Sequence, residues 1–212
     1  MKTVNTYTAL KMDFLRGLLI LLAIPGMLAL TLTPVLGQTT YRQVAGSQIK
    51  VTGTSNLHDW DMVATNFTLA ATIKTAGGQL QDLTALSFVL PVTNLKSKED
   101  LLNTRAYNAL KAEQFDKITF KLTKATIIPQ QKNIKATGNL TISGVTNPVE
   151  LQTNYVVNAD ESITCKGTQT IKMSDYKIKA PTFMMGALKT GDVVTIDMLL
   201  KLKKADQLST AK

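Results

Sequence analysis

Apolar and polar residues alternate one by one along most of this chain, and a period of two leaves little room for anything but β-strands. Phe67, Leu69, Ala71 and Ile73 share one side of a segment whose other side carries Asn66, Thr68, Ala70 and Thr72. The spacing predicts strands over Gln48–Thr54, Trp60–Lys74 and Leu83–Val92. It resumes with Ile118, Phe120 and Leu122 against Lys117, Thr119, Lys121 and Thr123. Further strands follow over Ile134–Ile142, Val149–Val157, Ser162–Met173 and Val193–Leu202. Gly77-Gly78, Pro129–Asn133, Ser143–Pro148 and Asn158–Glu161 supply the turns between them. About eight antiparallel strands with such turns close into a barrel or fold into a sandwich.

One stretch breaks the alternation. Residues 98–112 are rich in helix formers, and Leu102, Ala106, Ala109 and Leu110 recur at helical spacing. Ser97, with Asp100 three residues on, has the form of a capping box. A single helical insertion in an all-β domain is the expectation.

The first 37 residues differ from everything after them. Lys2, Lys11 and Arg16 precede an apolar run from Gly17 to Leu36 that ends in the small residue Gly37. A basic flank, an apolar centre and a small exit residue are the parts of a secretory signal. The expected organisation is therefore a signal peptide over 1–37, a barrel domain over 38–204 and a polar tail over 205–212. The expected location is periplasmic or secreted. A retained anchor helix is the alternative, since a span needs roughly 20 apolar residues.

Of the net charge of +9, residues 38–212 carry +7, their positive residues spread singly along strands without the basic runs and interleaved aromatics of a nucleic-acid surface. Solvated outer strand faces account for that spread, and transient contact with an anionic membrane surface is its functional counterpart. Nucleic acid is not an expected partner. The single cysteine, Cys165, has no disulfide partner within the chain and reads as a small apolar filler. No nucleophile elbow, phosphate loop, dinucleotide fingerprint or paired-cysteine zinc motif is present.

Four stretches, in order, carry a family likeness. They are Val51–Asp61 with His58-Asp59-Trp60; Phe88–Val92 with the helical stretch and Phe115–Phe120; Gly138–Leu151; and Ile171–Ile178 followed by Gly191–Ile196. From about Val44 to Leu202 the chain resembles the YceI-like family, in its Trp-containing variant. The resemblance implies a lipocalin-like antiparallel barrel of about eight strands that binds a polyisoprenoid lipid, without enzymatic activity and without a cofactor.

His58-Asp59-Trp60-Asp61 is the only polar cluster with chemical reach. A metal site needs three or four convergent ligands, and the chain has a single histidine, so neither a metal nor a catalytic set is expected. The cluster is either a turn with Trp60 as a core plug or, as the resemblance favours, one flank of a ligand entrance. The expected ligand-contacting set is His58, Trp60, Phe67, Phe88, Phe120, Leu122, Tyr176, Phe183 and Met184. Met184 lies with Met185 on a loop between Pro181 and Gly186, and flexible methionines adapt to apolar surfaces.

The leading expectation is an exported, non-enzymatic binding protein that holds an apolar, long-chain, isoprenoid-like lipid inside the barrel. Two alternatives stay open. One is a barrel plugged by its own large side chains, serving as a structural or interaction module. The other is a lipid-acting enzyme built on His58. Monomer and homodimer are both compatible with the sequence.

Overall fold

The structure, a computed structural model, describes residues 37–183 and 187–209. The expected signal peptide lies outside the described residues except for Gly37, and so do Met184, Met185 and Gly186. No described helix is long and apolar enough to cross a membrane.

The strands form in the order β1 (Thr39–Gln43), β2 (Gln48–Ser55), β3 (Trp60–Ala64), β4 (Thr68–Ala76) and β5 (Gln79–Pro91). Helix α1 (Asp100–Ala109) follows. Then come β6 (Lys117–Ile128), β7 (Asn133–Ile142), β8 (Val145–Val157), β9 (Ile163–Lys172), β10 (Thr182–Phe183) and β11 (Leu188–Lys204). A short helix, α2 (Ala205–Ser209), begins the polar tail.

All the pairings are antiparallel, and they close an eight-strand barrel. Closure occurs at β1, where Tyr41 faces Ala71 of β4 on one side and Lys204 of β11 on the other. β2 continues along the same edge of β11, with Gly53 opposite Val194 and Gln48 opposite Leu199. The break between β1 and β2 is bridged by buried Ser47. Its Oγ donates to the Lys201 carbonyl at 3.1 Å and accepts from the Lys201 amide at 2.9 Å.

The alternating faces fall where the period of two places them. Phe67, Leu69, Ala71 and Ile73 are buried, as are Ile134, Ala136, Leu140 and Ile142. The expected strand Trp60–Lys74 is two strands, with a break at Thr65–Phe67. β3 pairs with β2 whereas β4 pairs with β1 and β5, so one straight segment cannot serve both sets of partners. The Gln43 side chain closes the break, donating to the Phe67 carbonyl and accepting from the Leu69 amide at 2.7 Å. The turn expected over Ser143–Pro148 is only Ser143-Gly144, and Pro148 lies within β8.

Helix α1 forms where expected but without the capping box. Its N-cap is Glu99, which makes no side-chain cap bond. Asn103 does the anchoring instead: its Oδ1 accepts from the Ser97 amide at 2.7 Å and its Nδ2 donates to the Ser97 carbonyl at 3.2 Å. The Tyr107 hydroxyl reaches the Thr93 and Leu95 carbonyls, each at 3.0 Å. Ser143 Oγ donates to the Leu110 carbonyl at 2.7 Å. The helix is thus tied to the 93–97 segment that leads into it and, through Leu110, to the β7–β8 turn.

Candidate functional site

The inner faces of the strands do not fill the barrel. Under β4, Leu69, Ala71 and Ile73 are fully buried. Under β8, the inward Val149, Leu151 and Thr153 are only half-buried, and so are Gln169 and Ile171 of β9 and Ile196 and Met198 of β11. All of these residues, buried and half-buried alike, line an apolar cavity of about 250 Å³. That volume lies just below the roughly 300–1,000 Å³ of common small-molecule pockets and suits a slender chain. Burial of such a chain would contribute roughly 0.8 kcal/mol per CH₂ before ordering costs.

Four of the expected contact residues, Trp60, Phe88, Phe120 and Tyr176, come together on the cavity wall. They line the space rather than plug it. Phe67 stands behind the wall, its ring 5.3 Å from that of Phe88 in a tilted pair. Leu122 packs against the same cores without lining the cavity. Of Phe183 only the backbone is described, paired opposite Leu188, and Met184 lies outside the described residues.

His58 is exposed on the β2–β3 turn and does not line the cavity. Its Nδ1 is 2.8 Å from the Asp59 carbonyl oxygen, and its amide donates to Ser55 Oγ at 3.1 Å. The turn is joined to the start of β11, since Asn56 donates to the Ala187 carbonyl at 2.7 Å and accepts from the Lys189 amide at 2.9 Å. Among the described residues no group of three His, Cys, Asp or Glu side chains is placed to hold a metal ion.

Cys165 is buried on the cavity wall, and burial pushes its thiol up to about 12. The same cause raises the Tyr176 phenol above its ordinary value, helped by the nearby Asp175 carboxylate and opposed by a hydrogen bond with Asn147.

The wall itself is incomplete beside Tyr176. β8 and β9 pair only from Thr153 opposite Gly167 to Val157 opposite Ile163. Beyond that point β8 follows β7 alone and β9 follows β11 alone. A wedge opens between residues 145–152 and 168–172, edged by Asn147, Glu150 and Thr170. Val149, Gln169, Ile171 and Tyr176 line both this wedge and the interior cavity.

The wedge was absent from the sequence expectations although two residues signal it. A proline inside a strand pattern marks an edge, because it has no N–H for a neighbouring strand, and Pro148 lies on the diverging part of β8. Gly167 stands at the apex, where an added β-carbon would lie 2.5 Å from Thr153 Cγ2. Arg105 was also missed. Leu102, Arg105, Ala106, Ala109 and Leu110 of the α1 region all line the cavity, at helical stripe spacing, and Arg105 occupies an apolar position of that stripe.

A closed antiparallel barrel around an apolar chamber, with one helix bound across it, defines a lipocalin-like binding fold. The chain belongs to the YceI-like domain family, whose model matches residues 32–202. Solved structures give the same fold. BcnA of Burkholderia cenocepacia is similar at a TM-score of 0.60 and 16% identity, over 73% of this chain and 95% of that one. A polyisoprenoid-binding domain from Saccharophagus degradans, implicated in plant cell wall breakdown, is similar at a TM-score of 0.61 and 15% identity, over 79% and 99%. The YceI protein of Campylobacter jejuni is similar at a TM-score of 0.52 and 20% identity, over 66% and 84%. Comparison with curated proteins finds no match.

Proposed function

We propose that this protein is an exported, non-enzymatic binding protein that holds an apolar, long-chain, isoprenoid-like lipid inside its barrel. The apolar chamber inside the barrel, lined by side chains of β2 to β9, β11 and the α1 region, carries this reading. Family membership supports it, as does the likeness to a domain described as polyisoprenoid-binding. Trp60, Phe88, Phe120 and Tyr176 are the proposed wall contacts. Phe67 and Leu122 support that wall from behind. His58, Phe183 and Met184 are proposed to flank an entrance, since the His58 turn is bonded through Asn56 to Ala187 and Lys189, which follow Phe183 and Met184 closely in sequence. Export rests on the signal-like pattern of residues 1–37.

The test is native mass spectrometry of the protein purified from its own cell envelope, before and after solvent extraction. A bound mass that is lost on extraction and matches an isoprenoid or other long-chain lipid supports the carrier reading. Bare protein, in preparations shown to retain added lipid, favours a barrel without a ligand.

A further inference from the structure

Five of the seven net positive charges of residues 38–212 fall within residues 117–142, a stretch without a single Asp or Glu. They are Lys117, Lys121 and Lys124 on β6, Lys132 in the turn and Lys135 on β7, all of them exposed. Lys117 has a carboxylate partner, Asp116 at 3.6 Å. Among the described residues the other four form no ion pair. The neighbouring strands add two carboxylates. Glu150 on β8 lies opposite Thr137, and Asp82 on β5 lies beyond the stretch of β5 that pairs with β6.

Lys124 owes its place on this face to a β-bulge. Phe120 and Leu122 pack into the core, so strict alternation would send Lys124 inward after them. The β6–β7 register slips between Leu122 and Lys124, and the extra residue, Thr123, donates from its Oγ1 to the Thr137 carbonyl at 3.0 Å. Lys124 is thereby turned out to solvent opposite Thr137. With Lys121 opposite Asn139 and Lys135 opposite Thr126, three lysines follow one another along one strand pair. None of the exposed large hydrophobic residues lies on β6 or β7.

We propose that the outer face of β6 and β7 docks on the surface of an anionic lipid bilayer. Charge complementarity carries the assignment. A bilayer of this kind presents diffuse negative charge over a broad surface, and basic residues near it are drawn to that charge. Every basic residue of the face is Lys, a point charge on a flexible stem, and none is Arg, whose rigid fork suits a single fixed oxyanion. With no large apolar side chain to insert, the contact is at the level of the head groups. The face also borders the β8–β9 wedge, since Thr137 and Asn139 lie opposite Glu150 and Pro148, which line it. A bilayer seated on β6 and β7 therefore lies beside the side opening of the chamber. The docking itself does not depend on what the chamber holds.

The test is co-sedimentation of the protein, purified from its own cell envelope, with two kinds of vesicle. One contains equal parts of phosphatidylglycerol and phosphatidylcholine, the other phosphatidylcholine alone. Wild-type protein is expected to bind the anionic vesicles only, and less tightly as salt rises to physiological strength. Changing Lys121→Gln, Lys124→Gln and Lys135→Gln together should weaken binding on the order of a hundredfold, at roughly fivefold per lysine. The same loss of charge elsewhere, Lys50→Gln, Lys74→Gln and Lys203→Gln on β2, β4 and β11, should weaken it far less. Arginine at positions 121, 124 and 135 should preserve it. Lys121→Glu alone gives a second test of the face if the triple variant does not fold. Equal losses in the two glutamine variants would show that net charge and not this face governs binding, and would overturn the assignment. So would equal binding to both vesicles, or none to either at low salt. Binding to heparin without binding to anionic vesicles overturns it in favour of a soluble polyanion.

Discussion

The indole of Trp60 covers Gly53, its partner on the neighbouring strand, so closely that a β-carbon at Gly53 would lie 2.2 Å from Trp60 Cζ2. The Trp60 Nε1 donates to the Thr54 carbonyl at 3.2 Å, which fixes the ring in this position. A large side chain on the cavity wall is therefore seated in a hole left by a missing one.

Gly53→Ala has to push the indole off its seat. A cost of about 1–3 kcal/mol is expected, the range for overpacking a filled site. A denaturant titration measures the loss, and the emission of the only tryptophan reports the ring's new surroundings. An unchanged midpoint and an unchanged emission maximum together would rule out the seat as described.

Cys165 should be inert in the native protein. Its thiol is buried and held near 12, so almost no thiolate exists at pH 8. A water-soluble disulfide reagent such as DTNB is expected to react at the rate set by opening of the barrel, and rapidly once the chain is unfolded. Fast native labelling at pH 8 would mean that the chamber is open to charged solutes at Cys165.

Much of the fold was legible because alternation fixes which side of a strand each residue takes. Phe67, Leu69, Ala71 and Ile73 were placed on one side of the strand on that ground, and all four are buried. Alternation says nothing of how close the next strand stays. The β8–β9 wedge therefore left no mark on the hydrophobic pattern, and only Pro148 and Gly167 betray it. Strand β1 was missed for a different reason, since Tyr41 is its only large apolar residue and a single such residue makes no pattern. The cavity wall was partly legible, as Trp60, Phe88, Phe120 and Tyr176 stand on it. The role of α1 was not, because helical spacing shows that a helix has an apolar stripe but not what the stripe faces.

Asp192 makes one end of the barrel sensitive to acid. The Ser174 hydroxyl donates to one of its carboxylate oxygens at 2.6 Å and the Ser174 amide to the other at 2.8 Å. These bonds hold the carboxyl below the ordinary carboxylate value, with Lys172 adding a smaller pull. A carboxylate whose folded value is depressed stabilises the fold fully above its unfolded value, near 3.9. That contribution is lost as pH falls through the lower folded value. Asp192→Asn should therefore reduce the drop in stability seen in urea titrations between pH 5 and pH 2. The effect should be small, because the pair is exposed. An identical pH profile in the variant would show that the Ser174 bonds carry no net stabilisation.

The wedge between β8 and β9 should appear in amide exchange. Amides of Thr168–Lys172 that point away from β11 face no paired strand, whereas those from Ile163 to Gly167 that point the same way meet β8. The first group is expected to exchange about a hundredfold faster or more, since exposed backbone groups need no opening of the sheet to exchange. Gly167 sets where the wedge begins: a β-carbon there would also lie 2.8 Å from the Gln152 carbonyl oxygen. Gly167→Ala should therefore force the apex toward Val157 and extend fast exchange to the amides that bond Thr153 and Gly167 together. Uniform protection along both strands would mean that β8 and β9 stay zipped in solution, which would leave the chamber without this side opening.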